Sequence, residues 1–155
     1  SKLNCNSINL IDIGKSIREN LDKLDVFIFS NIDYILVENQ ISPIANRMNC
    51  IQGMITQYFI MKGMDNILYI SAANKLKTFI GNKKTTYSER KKMGITITKY
   101  ILEENDMDNI NKEKIITMFN KHKKRDDLAD SFLQAVWFLT QNDEITKNLI
   151  NKIRI

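Results

Sequence analysis

Apolar residues along this chain fall into two rhythms, continuous short runs and a three-to-four-residue spacing, and together they predict its elements. Ile17, Leu21 and Leu24 share one face of a short amphipathic helix over 16–24. Tyr34-Ile35-Leu36-Val37 is an unbroken apolar run bounded by polar residues, the pattern of a buried strand, and Glu38 closes it. Met48, Ile51, Met54, Ile55, Tyr58 and Phe59 then mark one face of a long helix over 44–61, entered through Ser42-Pro43. Ile67-Leu68-Tyr69-Ile70 is a second strand, from which 71–77 leads away into a basic loop.

Ser88 is placed to cap a helix running to Glu103, and the acidic stretch 103–108 reads as a loop. A short helix covers 112–119. A last one covers 127–140, with Leu128, Phe132, Val136 and Leu139 facing inward. The order α-β-α-β-α-α-α predicts one α/β domain over 1–155, with parallel strands and right-handed crossovers. Trp137, Phe132 and Phe138 are read as packing residues, and the Met48–Phe59 stripe as core.

Composition narrows the chemistry. The 155 residues are 43% hydrophobic and 26% charged, enough for a real core. No apolar run reaches the roughly 20 residues of a membrane span, and no signal-peptide pattern opens the chain. A soluble, intracellular protein without membrane contact is expected. The first residue is Ser1, so the chain is expected to be part of a longer protein. Cys5 and Cys50 are far apart, which suits a reducing compartment, with Cys50 expected to be buried on its helix. With His122 as the single histidine, a His/Cys zinc site is excluded, and a metal here would be a hard cation on oxygen ligands. His122 itself reads as a phosphate contact or a solvated side chain.

The net charge of +5 is unevenly spread. Lys75, Lys77, Lys83, Lys84, Arg90, Lys91 and Lys92 face only Glu89 in their stretch, and Lys121, Lys123, Lys124 and Arg125 immediately precede Asp126 and Asp127. Such clusters suit a polyanion. Asp127 and Asp130 are three residues apart and so share a helix face, where two carboxylates repel unless a cation lies between them. Asp126 has a simpler reason to be there, since acids favour helix starts. Glu38, at the end of its strand, stands where open α/β sheets place ligands.

These segments resemble a family. Tyr34-Ile35-Leu36-Val37-Glu38-Asn39-Gln40 is similar to the second acidic strand of RuvC-like Holliday junction resolvases. Lys124-Arg125-Asp126-Asp127-Leu128-Ala129-Asp130-Ser131-Phe132 resembles their closing acidic helix, and Tyr87-Ser88-Glu89-Arg90-Lys91-Lys92 their basic loop. The version is similar to the enzymes of poxviruses and other large cytoplasmic DNA viruses, and the likeness covers about residues 30–140.

The resemblance implies a ribonuclease H-like mixed sheet flanked by helices, incomplete at its N-terminus. It implies a homodimer that cuts four-way DNA junctions at a cytoplasmic viral replication site, with two Mg²⁺ or Mn²⁺ ions. Glu38, Asp127 and Asp130 would be the metal ligands and Lys91 a catalytic lysine at the scissile phosphate. Lys77, Lys83, Lys84, Arg90, Lys92, Lys124 and Arg125 would hold the DNA.

The family's first strand carries an Asp-x-Gly motif, which Ile11-Asp12-Ile13-Gly14 imitates. Asp12 is only 26 positions before Glu38, too few for the intervening strands and a helix. Residues 8–13 are therefore expected to be a connection or strand end, with the missing acid upstream. Two alternatives stay open: a compact member that uses Asp12, and a nucleic-acid-binding domain or related nuclease with another substrate.

Overall fold

Two apolar runs make the only strands among the described residues, and helices build everything else. A computed structural model describes residues 8–24, 31–41, 46–81, 84–104 and 109–142. The chain divides into two compact units, Ser1–Ser71 and Ala72–Ile155.

In the first unit, α1 spans Leu10–Leu21. The Asn9 side chain caps it by accepting the Ile11 amide proton at 2.8 Å, which satisfies one orphan donor of the first turn. This cap draws the helix over the stretch expected to be a connection or strand end, and leaves Leu24 beyond its C-terminus and 41% exposed. Ile13, Ile17 and Leu21 form its apolar stripe and share a shallow groove with Ile55.

β1 (Ile35–Glu38) and β2 (Ile67–Ile70) pair in parallel, with Ile35 opposite Ile67 and Glu38 opposite Ile70. Between them runs α2 (Asn46–Met61), packed on α1 and β1. A parallel pair needs such a crossover, because a tight turn can only reverse the chain. Buried Tyr58 donates its hydroxyl to Asp22 at 2.8 Å, and Lys62 pairs with the same carboxylate at 2.9 Å. These contacts fasten the end of α1 to α2. Gly63, at φ 79°, ends α2: the Met64 amide donates to Phe59 and the Gly63 amide to Ile60, a left-handed cap that favours glycine.

In the second unit, α3 (Asn74–Ile80), α4 (Tyr87–Glu104), α5 (Asn109–Lys121) and α6 (Arg125–Asn142) surround one apolar core. Leu76, Phe79, Ile97, Ile101, Leu133 and Val136 form it, as α6 packs on both α3 and α4. α4 starts at a capping box. The Glu89 carboxylate accepts the Thr86 amide at 2.6 Å, and the Thr86 hydroxyl accepts the Glu89 amide at 3.3 Å. Thr86 thus takes the capping place expected of Ser88.

The expectation of a ribonuclease H-like mixed sheet flanked by helices is overturned. The described residues hold six helices and a two-stranded parallel sheet. Among the described residues, Ile35–Val37 and Ile67–Ile70 are the continuous apolar runs that form strands, and most of the other apolar residues follow helical spacing. The end of the 71–77 stretch and the start of the expected basic loop are helical: Leu76 and Phe79, three apart, bury one side of α3 while Lys77 on its other side is exposed, and Tyr87–Lys92, which resembles a basic loop, opens α4. Cys50 is exposed on α2, not buried. On α6 Val136 faces inward as expected and Phe132 packs against the core, but the fully buried positions are Ala129 and Leu133, each one place after an expected residue, and Leu139 is 48% exposed. No helix among the described residues is long and apolar enough to cross a membrane.

Candidate functional site

The N-terminal turns of α6 carry the acids, and the fold brings lysines of two other helices onto them. Arg125 opens the helix, and Asp126 and Asp127 occupy its first turn, where negative charge opposes the helix dipole. Just before it, the Lys124 amide donates to His122 Nδ1 at 3.1 Å, so His122 serves the turn into α6. Ala129 and Leu133, both fully buried, lie beside Asp126 and Asp130 on the side of α6 that faces α4, and they fix the direction in which these acids project.

Asp126 pairs with Lys91 of α4 at 2.5 Å. The hydrogen bond from Lys91 holds the Asp126 carboxyl below its ordinary range, against a smaller opposing effect of burial. The reciprocal bond raises Lys91, with the Tyr87 hydroxyl as its second partner. The Lys91 ammonium also lies 5.0 Å from the centroid of the Tyr87 ring. Asp130 pairs with Lys75 of α3. Asp127 is 66% exposed, with Lys124 at 3.9 Å, a solvent-screened contact of little energy. Asp127 and Asp130 thus occupy one helix side as the spacing requires, in different electrostatic settings.

Beside these pairs, α3 and the start of α4 enclose an open cleft of about 650 Å³. Lys75, Lys77 and Arg90 line it together with Thr85 and Tyr87. Its cations come from two helices, and no carboxylate lies among its lining residues. Lys84, Lys92, Lys124 and Arg125 are exposed on the same unit, and Lys83 lies outside the described residues. Lys75 and Tyr87 were not assigned roles from the sequence. The signal for Tyr87 was an aromatic residue among cations, whereas the 55-residue separation of Lys75 from Asp130 gave none.

Glu38 belongs to the first unit, half-buried at the end of β1, where its carboxylate accepts from Gln40 Nε2 at 3.3 Å. The Gln40 backbone is itself held by Gln52 of α2 at 2.8 Å. Asp12 sits in the first turn of α1, exposed, with Lys15 at 3.7 Å. It is on a helix, unlike the strand-borne Asp-x-Gly motif that it imitates.

Asp127 and Asp130 offer the hard oxygen donors that suit Mg²⁺. Among the described residues, however, no group of three or more His, Cys, Asp or Glu side chains is placed to hold a metal ion. The pair by itself falls short of a metal centre, and Asp130 already has an ammonium partner.

No protein-family model matches the chain. An uncharacterized protein of Acanthamoeba polyphaga mimivirus is 28% identical over 139 residues, covering 77% of this chain and 32% of that protein. The chain therefore spans about a third of the length of this curated relative. No solved structure matches.

Proposed function

We propose that this chain is part of a nuclease of DNA-virus type that binds branched DNA and hydrolyses its phosphodiester bonds with the help of Mg²⁺ or Mn²⁺. One observation carries the reading: the acids of α6 meet the lysines of α3 and α4 beside a basic cleft of nucleotide size. Metal-assisted phosphodiester hydrolysis uses such interleaving, with cations to hold the phosphate and carboxylates to gather hard metal ions.

Asp127 and Asp130 are the proposed acidic residues of the second unit, with Lys91 acting near the phosphate, and Glu38 of the first unit is a separate proposed acid. Lys77, Arg90 and the exposed cations of the same unit hold the backbone. The resolvase-like motifs favour a four-way junction as substrate, and two symmetric cuts would require a homodimer. The uncharacterized mimivirus relative fits this setting.

The test incubates the full-length protein with four-way junctions, flaps, duplexes and RNA–DNA hybrids, with and without Mg²⁺. Junction cutting that disappears separately in Glu38→Gln, Asp127→Asn and Asp130→Asn, while binding persists, supports the proposal. Normal cutting by all three variants removes the site assignment.

A second reading is a nucleic-acid-binding domain without chemistry. It is favoured by the lack, among the described residues, of three or more acids placed to hold a metal ion. Salt-sensitive junction binding without cleavage under any divalent cation would select it.

A further inference from the structure

A basic patch alone binds any polyanion, but the cleft beside α6 has a second ingredient. Tyr87 stands at the first position of α4, on the cleft wall, and is 68% exposed. This ring is not free to drift. The capping box of Thr86 and Glu89 fixes the backbone on either side of it, and Lys91, one turn on, lies against it while bonded to Asp126. The cap also occupies the Glu89 carboxylate, the one acid within the basic stretch.

Around the ring, Lys77 and Arg90 line the cleft with exposed charges, and Lys75 lines it from α3. Arg90 reaches back to the Thr85 carbonyl at 3.3 Å, which steadies its guanidinium near the mouth. The volume of about 650 Å³ lies within the usual range for small-molecule sites and admits one nucleotide unit. A flat ring beside fixed cations is how proteins hold unpaired bases: the base stacks and the phosphate is paired. A paired base inside a duplex shows only its edges, so this geometry discriminates by strandedness.

We propose that the cleft between α3 and the start of α4 binds a single unpaired nucleotide of a DNA strand, with its base stacked on Tyr87 and its phosphate held by Lys77 and Arg90. This deepens the reading of the chain as a branched-DNA protein, because branch points are where bases lose their partners.

The experiment measures binding of the full chain to a fluorescent oligothymidylate and to a duplex of equal length, at several salt concentrations. Tyr87→Ala should weaken oligothymidylate binding on the order of tenfold while duplex binding stays close to wild type. Tyr87→Phe, which keeps the ring and loses the hydroxyl contact to Lys91, should bind as wild type does. Lys77→Ala and Arg90→Ala should weaken both ligands, each lowering the single-strand salt slope by about 0.7. Circular dichroism of each variant verifies that α4 is intact.

Equal binding by wild type and Tyr87→Ala overturns the stacking site and leaves the nucleic-acid reading standing. Equal losses in Tyr87→Ala and Tyr87→Phe also overturn it, by assigning the effect to the hydroxyl. Absence of binding to any nucleic acid by the wild-type chain overturns both.

Discussion

Lys91 and Asp126 meet at 2.5 Å across 35 residues of sequence and join α4 to the first turn of α6. The pair has a definite pH signature. Asp126 is held below its ordinary value of 3.8 in the folded chain, chiefly by the Lys91 hydrogen bond. A carboxyl depressed on folding stabilises the protein above its unfolded value, and this contribution fades as pH falls through the folded value. Asp126→Asn should therefore unfold at a lower temperature than wild type at pH 7. The gap should close as pH drops below about 4. Melting curves across pH 2–7 measure this, and a gap constant with pH would remove the linkage.

Lys75 gives a prediction about metal. Its ammonium sits on Asp130 where a divalent cation would compete. In Lys75→Met the carboxylate loses that partner, and the variant should melt earlier than wild type in the absence of divalent ions. If Asp130 is a ligand, Mg²⁺ or Mn²⁺ should restore part of the lost stability, and should do so more strongly than in wild type. An identical response to divalent ions in both proteins would count against Asp130 as a ligand.

The core of the second unit makes a simpler claim. Leu133 is fully buried among Leu76, Phe79, Ile97 and Ile101. Leu133→Ala should cost about 2–5 kcal/mol through lost transfer energy and a residual cavity. Denaturant unfolding monitored by helicity would show it.

Gly94 faces the same helix, and its substitution should act in the opposite direction. A methyl group there would lie 3.7 Å from Leu133 Cδ1 and 3.9 Å from the Ala129 side chain, ordinary contact distances. Glycine inside a helix costs about 1 kcal/mol relative to alanine. Gly94→Ala should therefore raise stability by about 0.4–1 kcal/mol. A lower melting temperature would mean that α4 and α6 pack more tightly than these distances allow.

The capping box can be checked in the same way. Thr86→Ala should destabilise α4 by about 1 kcal/mol, and Ser88→Ala should have little effect. The reverse order would return the cap to Ser88.

Much of the local structure was legible in the sequence. Ile35–Val37 and Ile67–Ile70 form strands because their apolar runs are short, continuous and rich in β-branched and aromatic residues. The long helices followed their three-to-four-residue spacing. Errors arose where a local hydrogen bond outweighed the pattern. Asn9 turned the Ile11–Ile13 stretch into helix, and Thr86, paired with Glu89, took the cap from Ser88. α3 escaped notice because two turns carry too few apolar positions to show a period.

The mixed sheet came from family resemblance and not from periodicity, and no pattern in residues 8–24 supplied its further strands. At the site, the shared face of Asp127 and Asp130 could be read from their spacing. Their lysine partners could not, because Lys75 and Lys91 arrive through tertiary packing.

The parallel ladder has only four residues on each side, and Leu68 and Tyr69 on β2 are 39% and 51% exposed. Short ladders with little apolar cover open cheaply, so their amide protons are the first to trade with deuterium. In a native-state exchange experiment, the amides of β1 and β2 should label well before those of Ile97 and Leu133, whose side chains are 1% and 0% exposed. The ladder then keeps its own time: it breathes on a faster clock than the core of the second unit.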